Sequence, residues 1–168
     1  NQPIEIQNAM FNLMKNNTYI LYVLYSDYSW DIFATDLPKS RKDAGYENPN
    51  IISTYPKING IISPNINNIN ITFSSPISRS MNNIAIYQTN TTTRQSKLRK
   101  FYSGNSEECT ILNNNTFTCN VSQSIFDQWN SLYMIMMDNN FVKFASTNEP
   151  IYGIEANQWN FTTIPCDG

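Results

Sequence analysis

The stretch Ile69-Asn-Ile-Thr-Phe-Ser-Ser-Pro-Ile77 carries the pattern that sets the fold. Ile69, Ile71 and Phe73 alternate with Asn70, Thr72 and Ser74. A period of two is what a strand shows when one face is buried and the other meets water. Pro76 then ends the run, because proline has no amide hydrogen to give to a ladder. The same alternation recurs downstream. Ile84 and Ile86 repeat it, Phe117, Cys119 and Val121 alternate with Thr118 and Asn120, and Trp159 and Phe161 alternate with Asn160 and Thr162. Leu132-Tyr-Met-Ile-Met-Met137 is apolar at every position, as in a strand with neighbours on both sides. Turn residues separate the runs at Pro56 to Gly60, Ser63-Pro-Asn65 and Asp138-Asn-Asn140. One short helix fits between them, capped by Ser124, with Asp127 three residues on and Ile125, Phe126 and Trp129 on a shared face. Short strands at regular spacing with one helical turn predict an all-β chain, with a β-sandwich over residues 50–168.

Upstream of the sandwich the pattern changes. Tyr19-Ile-Leu-Tyr-Val-Leu-Tyr25 is a strongly apolar strand, followed by a turn at Ser26-Asp-Tyr-Ser29 and a second strand, Trp30-Asp-Ile-Phe-Ala34. Ala9 to Met14 supplies a third strand. Residues 1–37 therefore read as a short β-meander. A meander alone cannot bury both faces, so it is expected to be the end of a preceding β-rich domain, such as the last blade of a propeller. Residues 38–49, with two prolines, a glycine and mixed charge, read as a linker. The chain opens on Asn1 and closes on Ile164-Pro-Cys-Asp-Gly168, and further sequence is expected on both sides.

Composition narrows the function. The 168 residues are 40% hydrophobic and 13% aromatic but only 14% charged, about half the usual charged share. Asparagine, at 26 copies, takes the place of charge. Abundant aromatics and few charges argue against disorder. A net charge of −2 argues against a dedicated nucleic-acid binder. The absence of histidine removes His-based triads, His-ligated metals and imidazole acid–base chemistry. No apolar run approaches the roughly 20 residues of a membrane-spanning helix.

The three cysteines are Cys109, Cys119 and Cys166. Folding Cys109-Thr-Ile-Leu-Asn-Asn-Asn-Thr-Phe-Thr-Cys119 at its asparagine cluster sets Leu112 opposite Thr116, Ile111 opposite Phe117 and Cys109 opposite Cys119. The two sulfurs then lie within bridging range across a hairpin. Cys166 is left to pair beyond the present chain, to pair with another molecule, or to stay free. N-x-[ST] sequons stand at Asn16, Asn70, Asn90, Asn114, Asn120 and Asn160. So asparagine-rich a composition yields about 4 or 5 by chance. Their placement says more: Asn70, Asn120 and Asn160 fall on the outward side of their strands. An extracellular, secreted or cell-surface glycoprotein is the expectation.

Several of these segments resemble one family. Ile51-Ile-Ser-Thr-Tyr-Pro-Lys-Ile-Asn-Gly60, Ile69-Asn-Ile-Thr-Phe-Ser-Ser-Pro-Ile77, Ile84-Ala-Ile-Tyr87, the Tyr133-led strand and Trp159-Asn-Phe-Thr-Thr163 follow in the order seen in the SbsA-like Ig-like domain, also called bacterial Ig-like domain 5. The likeness covers roughly residues 50–164 and departs at Gly60, which comes one residue late. It implies an immunoglobulin-like sandwich, non-catalytic, acting as a spacer or adhesive module in surface and secreted proteins. It carries over no catalytic residues and no cofactor. The Asn, Ile and Tyr bias suits an AT-rich eukaryotic genome.

Few constellations could carry chemistry. Asp27, Asp31 and Asp36 offer oxygen ligands for Ca²⁺, but without a binding-loop spacing they read as solvated turn carboxylates. Glu107 and Glu108 are adjacent, so on a strand they face opposite ways; Glu149 and Glu155 only flank a Pro/Gly loop. Arg94, Lys97, Arg99 and Lys100 could meet an anion, and they equally suit an edge strand guarded by charge. Tyr28, Trp30, Trp129 and Tyr152 sit near turns, where rings stack on sugars, although a small sandwich more often buries such rings. Met134, Met136 and Met137 read as core fill. The expected function is a non-catalytic structural or adhesive module. The alternatives are a carbohydrate-binding module contacting glycan through Tyr28, Trp30 and Tyr152, or an accessory domain of a secreted enzyme. The expected partners are other domains of the same longer chain and surface glycans or proteins.

Overall fold

The computed structural model describes residues 5–14, 18–36, 43–90 and 92–165. The chain divides into two compact units, Asn1–Lys42 and Asp43–Gly168. In the first, β1 (Ile6–Leu13), β2 (Thr18–Tyr25) and β3 (Trp30–Asp36) form an antiparallel meander. Tyr28 adopts a left-handed φ of 64° in the β2–β3 turn, and the Tyr25 amide closes that turn by donating to Ser29 O at 2.9 Å. Register sets Phe11, Leu21 and Phe33 on one face and Met10, Tyr22 and Ile32 on the other. Both faces are therefore apolar.

The second unit contains β4 (Ile51–Tyr55), β5 (Gly60–Ile62), β6 (Asn68–Phe73), β7 (Ile77–Arg79), β8 (Asn83–Thr89), β9 (Ser96–Ser103), β10 (Cys109–Leu112), β11 (Thr116–Asn120), β12 (Leu132–Met137), β13 (Val142–Phe144) and β14 (Ile154–Thr163). One sheet runs β10-β11-β6-β4 and the other β5-β14-β12-β8-β9, while β7 and β13 form a small ladder. The first order is the D-E-B-A sheet of an immunoglobulin sandwich, and β14-β12-β8-β9 is its G-F-C-C′ sheet. The opening strand serves both sheets. β4 pairs with β6, and β5, just beyond Pro56, pairs in parallel with Phe161–Thr163 of β14. The fold is thus all-β, an immunoglobulin-like sandwich preceded by a meander.

The alternation read from the sequence decides which side chains meet. Ile69, Ile71, Phe73 and Phe117 from one sheet, and Ile84, Ile86, Tyr133, Ile135, Trp159 and Phe161 from the other, share one buried core. Phe126 packs edge-on against Tyr133 at 5.0 Å and Phe161 at 5.6 Å between ring centres. Pro56 O accepts from Trp159 Nε1 at 2.8 Å and from Thr54 Oγ1 at 2.7 Å. Gly153 is required where it stands, because a Cβ there would lie 1.8 Å from Met137 O.

The structure corrects several expectations. Residues 43–49 do not form a link. Tyr46 is buried in the core and Asn48 is buried beside it, donating through Nδ2 to Tyr152 O at 2.7 Å. The remainder of the expected linker, residues 37–42, lies outside the described residues. The short helix is a single 3-10 turn, Gln123–Ile125, capped by Ser122 rather than Ser124. Ile125 and Phe126 are buried as expected, but Trp129 is exposed. Met137 fills the core, whereas Met134 and Met136 alternate onto the opposite face of β12.

Candidate interaction surface

The outer faces of the two sheets differ in chemistry. On the β10-β11-β6-β4 sheet, pairing places Thr110, Thr118, Asn70 and Tyr55 in one row, and Leu112, Thr116, Thr72 and Ser53 in the next. That face is dominated by amides and hydroxyls. On the other sheet, Met134, Tyr87 and Leu98 form one row beside Asn160, and Met136, Ala85 and Phe101 form the next. Leu98 and Phe101, on edge strand β9, are 47% and 58% exposed. Antiparallel sandwiches ordinarily present polar residues outward, so this face is the exception.

The expected disulfide is present. Cys109 and Cys119 are paired in register and bonded, with Cα atoms 4.0 Å apart, and both are buried. Cys166 and Asn16 lie outside the described residues. Among the other sequons, Asn90, Asn114 and Asn120 are exposed. Asn114 sits at the tip of the β10–β11 hairpin with φ 62°. Asn70 and Asn160 are half-buried. Asn70 Oδ1 is buried beside Thr118, and Asn160 Nδ2 donates to Asn157 O at 2.9 Å.

The four turn aromatics are exposed rather than buried. Tyr28 is 80% exposed, and Trp30, Trp129 and Tyr152 are about half exposed. Tyr28 and Trp30 belong to the first unit, Trp129 and Tyr152 to the second. Trp30 packs on Tyr22 at 6.1 Å between ring centres, on the same face of the meander.

The Asp27, Asp31 and Asp36 carboxylates do not converge. Asp27 accepts from the Ser29 amide at 3.0 Å and from its hydroxyl, bonds that hold the carboxyl below the usual carboxylate range. Asp36 accepts from Thr18 Oγ1 at 2.7 Å at the far end of β3. Asp31 lies opposite Val23. Among the described residues no group of three or more Cys, Asp or Glu side chains forms a metal site.

The basic run falls on edge strand β9. Arg99 bridges to Asp127 at 2.8 Å, to Gln88 Oε1 at 3.0 Å and to Ser124 O at 2.6 Å. Lys100 pairs with Glu108 at 3.1 Å and lies over the Tyr102 ring. Arg99 and Lys100 are thus engaged in holding neighbouring segments. Gln88, Thr89, Asn90, Thr93, Lys97 and Ser131 line an open polar depression at the end of the β8–β9 hairpin. Of the other carboxylates, Glu107 is exposed and Glu149 accepts from Thr147 Oγ1 at 3.2 Å.

The apolar outer face was not singled out from the sequence, yet two signals were there. Ile84 and Ile86 point inward, which leaves Ala85 and Tyr87 outward and still apolar. The uniform apolarity of Leu132–Met137 fits a central strand, but one of its faces turns out to be an outer surface of the sandwich.

No family model matches the chain, and neither does any curated protein. Among solved structures, the chain is similar to CopC from Methylosinus trichosporium OB3b. The likeness covers 70% of this chain and 95% of that one, at 10% sequence identity and a TM-score of 0.45. Identity that low carries over no residue.

Proposed function

We propose that this chain is a non-catalytic, immunoglobulin-like module of a larger secreted or cell-surface glycoprotein, with a structural or adhesive role. The observation that carries this reading is the buried Cys109–Cys119 disulfide, since such bonds persist in oxidising compartments. The exposed sequons at Asn90, Asn114 and Asn120 accord with it, because a glycan there meets solvent rather than the core. The motif resemblance to the SbsA-like Ig-like domain points the same way. Other domains of the same longer chain are the natural neighbours of such a module.

The test is the intact mass of the native, non-reduced protein before and after glycan removal. The expected result is a mass loss at Asn90, Asn114 and Asn120, lower occupancy at half-buried Asn70 and Asn160, and a mass two protons short for the disulfide. An unmodified mass with every thiol free would overturn the extracellular reading.

A second reading, a carbohydrate-binding module, is favoured by the exposure of Tyr28, Trp30 and Tyr152. Aromatic faces of this kind stack on sugar rings. On this reading Trp30→Ala abolishes retention on an immobilised glycan; retention by no glycan at all removes it.

A further inference from the structure

We propose that the outer face of the β5-β14-β12-β8-β9 sheet is a self-association surface that receives the same face of a second copy of this chain. This deepens the adhesive half of the proposed function and rests on it. The face is built from adjacent rows: Leu132, Thr89 and Ser96; Met134, Tyr87 and Leu98; Met136, Ala85 and Phe101. None of these side chains is charged. A charged partner would gain no counter-ion here and would bury its own charge unpaired, at a cost of several kcal/mol per ion. A second copy brings a surface that is neutral in the same places. A two-fold arrangement needs no other match, because each patch is its own complement.

The flank of the sheet directs the contact to this face. Lys97, Arg99 and Lys100 lie along β9, the exposed edge. Arg99 and Lys100 turn to Asp127 and Glu108, and Lys97 lies opposite Gln88 rather than among the apolar rows. Charge along an edge strand opposes edge-to-edge extension of the sheet, which leaves face-to-face packing. The sequons leave the face accessible too. Asn70 and Asn120 lie on the opposite sheet and Asn114 at its hairpin tip. Asn160, at the border of the apolar rows, is half-buried with its amide nitrogen engaged.

Size predicts the strength. Strand spacing and rise give a patch of roughly 14 by 17 Å, or about 400 Å² per copy once side-chain margins are added. The total of about 800 Å² falls short of the roughly 1,200 Å² of a stable complex. The contact is therefore weak between free molecules and becomes effective through avidity, when many copies are displayed on one surface. Methionine at two of the positions suits a transient contact, being able to repack.

The test is sedimentation equilibrium of the full chain up to millimolar concentration, with Phe101→Asp, Leu98→Asp and, as control, Ile52→Asp, an exposed position on the opposite sheet. Phe101→Ser serves as a milder second variant, and thermal unfolding verifies that each variant is folded. The expected result is a concentration-dependent dimer that Phe101→Asp and Leu98→Asp weaken at least about tenfold and Ile52→Asp leaves unchanged. A chain that stays monomeric at millimolar concentration overturns the proposal. So does a dimer insensitive to positions 98 and 101, or a face that answers only to a neutral oligosaccharide. Mass analysis of the same preparation separates the two readings. A glycosylated, disulfide-bonded monomer sinks the self-association alone. A reduced, unmodified chain sinks the surface-module reading, whether it dimerises or not.

Discussion

At the scale of single residues, one buried relay ties the start of the sandwich to its last strand. Thr54 Oγ1 donates to Pro56 O at 2.7 Å, so the 2.6 Å contact between Tyr46 OH and Thr54 Oγ1 has the tyrosine as donor. Trp159 Nε1 donates to the same carbonyl at 2.8 Å. Thr54→Val keeps the shape and deletes the hydroxyl, stranding a buried phenol. We expect it to cost about 1–3 kcal/mol, read as a lower urea midpoint with an unchanged slope. Tyr46→Phe in the Thr54→Val background should recover most of that loss, because removing both partners leaves nothing unsatisfied. The sequence marked Thr54 only as part of an opening turn and placed Tyr46 in a linker. Neither role shows in a pattern of apolar residues, since the partners come from segments far apart in the chain.

At the scale of elements, the β10–β11 hairpin was legible in full. Its asparagine turn fixes the register, and the register puts Cys109 against Cys119. Ten residues of separation make a short closed loop, for which the chain-entropy relation gives just under about 3 kcal/mol. Cys109→Ala/Cys119→Ala should lower the unfolding free energy by about that amount in urea titrations. Its circular dichroism should stay native-like, because β11 is also paired along its whole length with β6. The 3-10 turn was legible less well. Ile125 and Phe126 gave a helical spacing, but Trp129 is exposed and one turn is all that forms. β9 was read correctly as a charge-guarded edge, yet its outward Leu98 and Phe101 passed unnoticed among the basic residues. Charge is conspicuous in so uncharged a chain, and it masked the apolar residues on the other side of the same strand.

At the scale of the whole molecule, the core makes stability depend on alkaline pH. Burial pushes the Tyr102 phenol up to about 12, with Glu108 adding to the effect, and burial also raises Tyr46 and Tyr133. Ionisation begins near pH 10 in the unfolded chain, while the folded chain still holds its protons. Stability from these groups is therefore complete below pH 10 and is lost as pH climbs from there through 12. Denaturant midpoints measured from pH 8 to 12 should be level at first and then fall steeply. Tyr102→Phe should shallow the fall, since it removes one of the ionising groups; an unchanged slope would contradict its burial.

The sequence by itself determined the strand alternation, the meander, the hairpin and its disulfide, because each rests on contacts between near neighbours in the chain. It also determined what the polar sheet face looks like, since Asn70, Thr72, Thr118 and Asn120 are outward by simple alternation. Only the tertiary structure decided that Tyr46 is core, that the turn aromatics are exposed, and that Tyr87, Leu98, Phe101 and Met136 share one surface. Those facts depend on which strands become neighbours and which side of each sheet faces the other. Pairing of that kind joins residues tens of positions apart, and no local period records it.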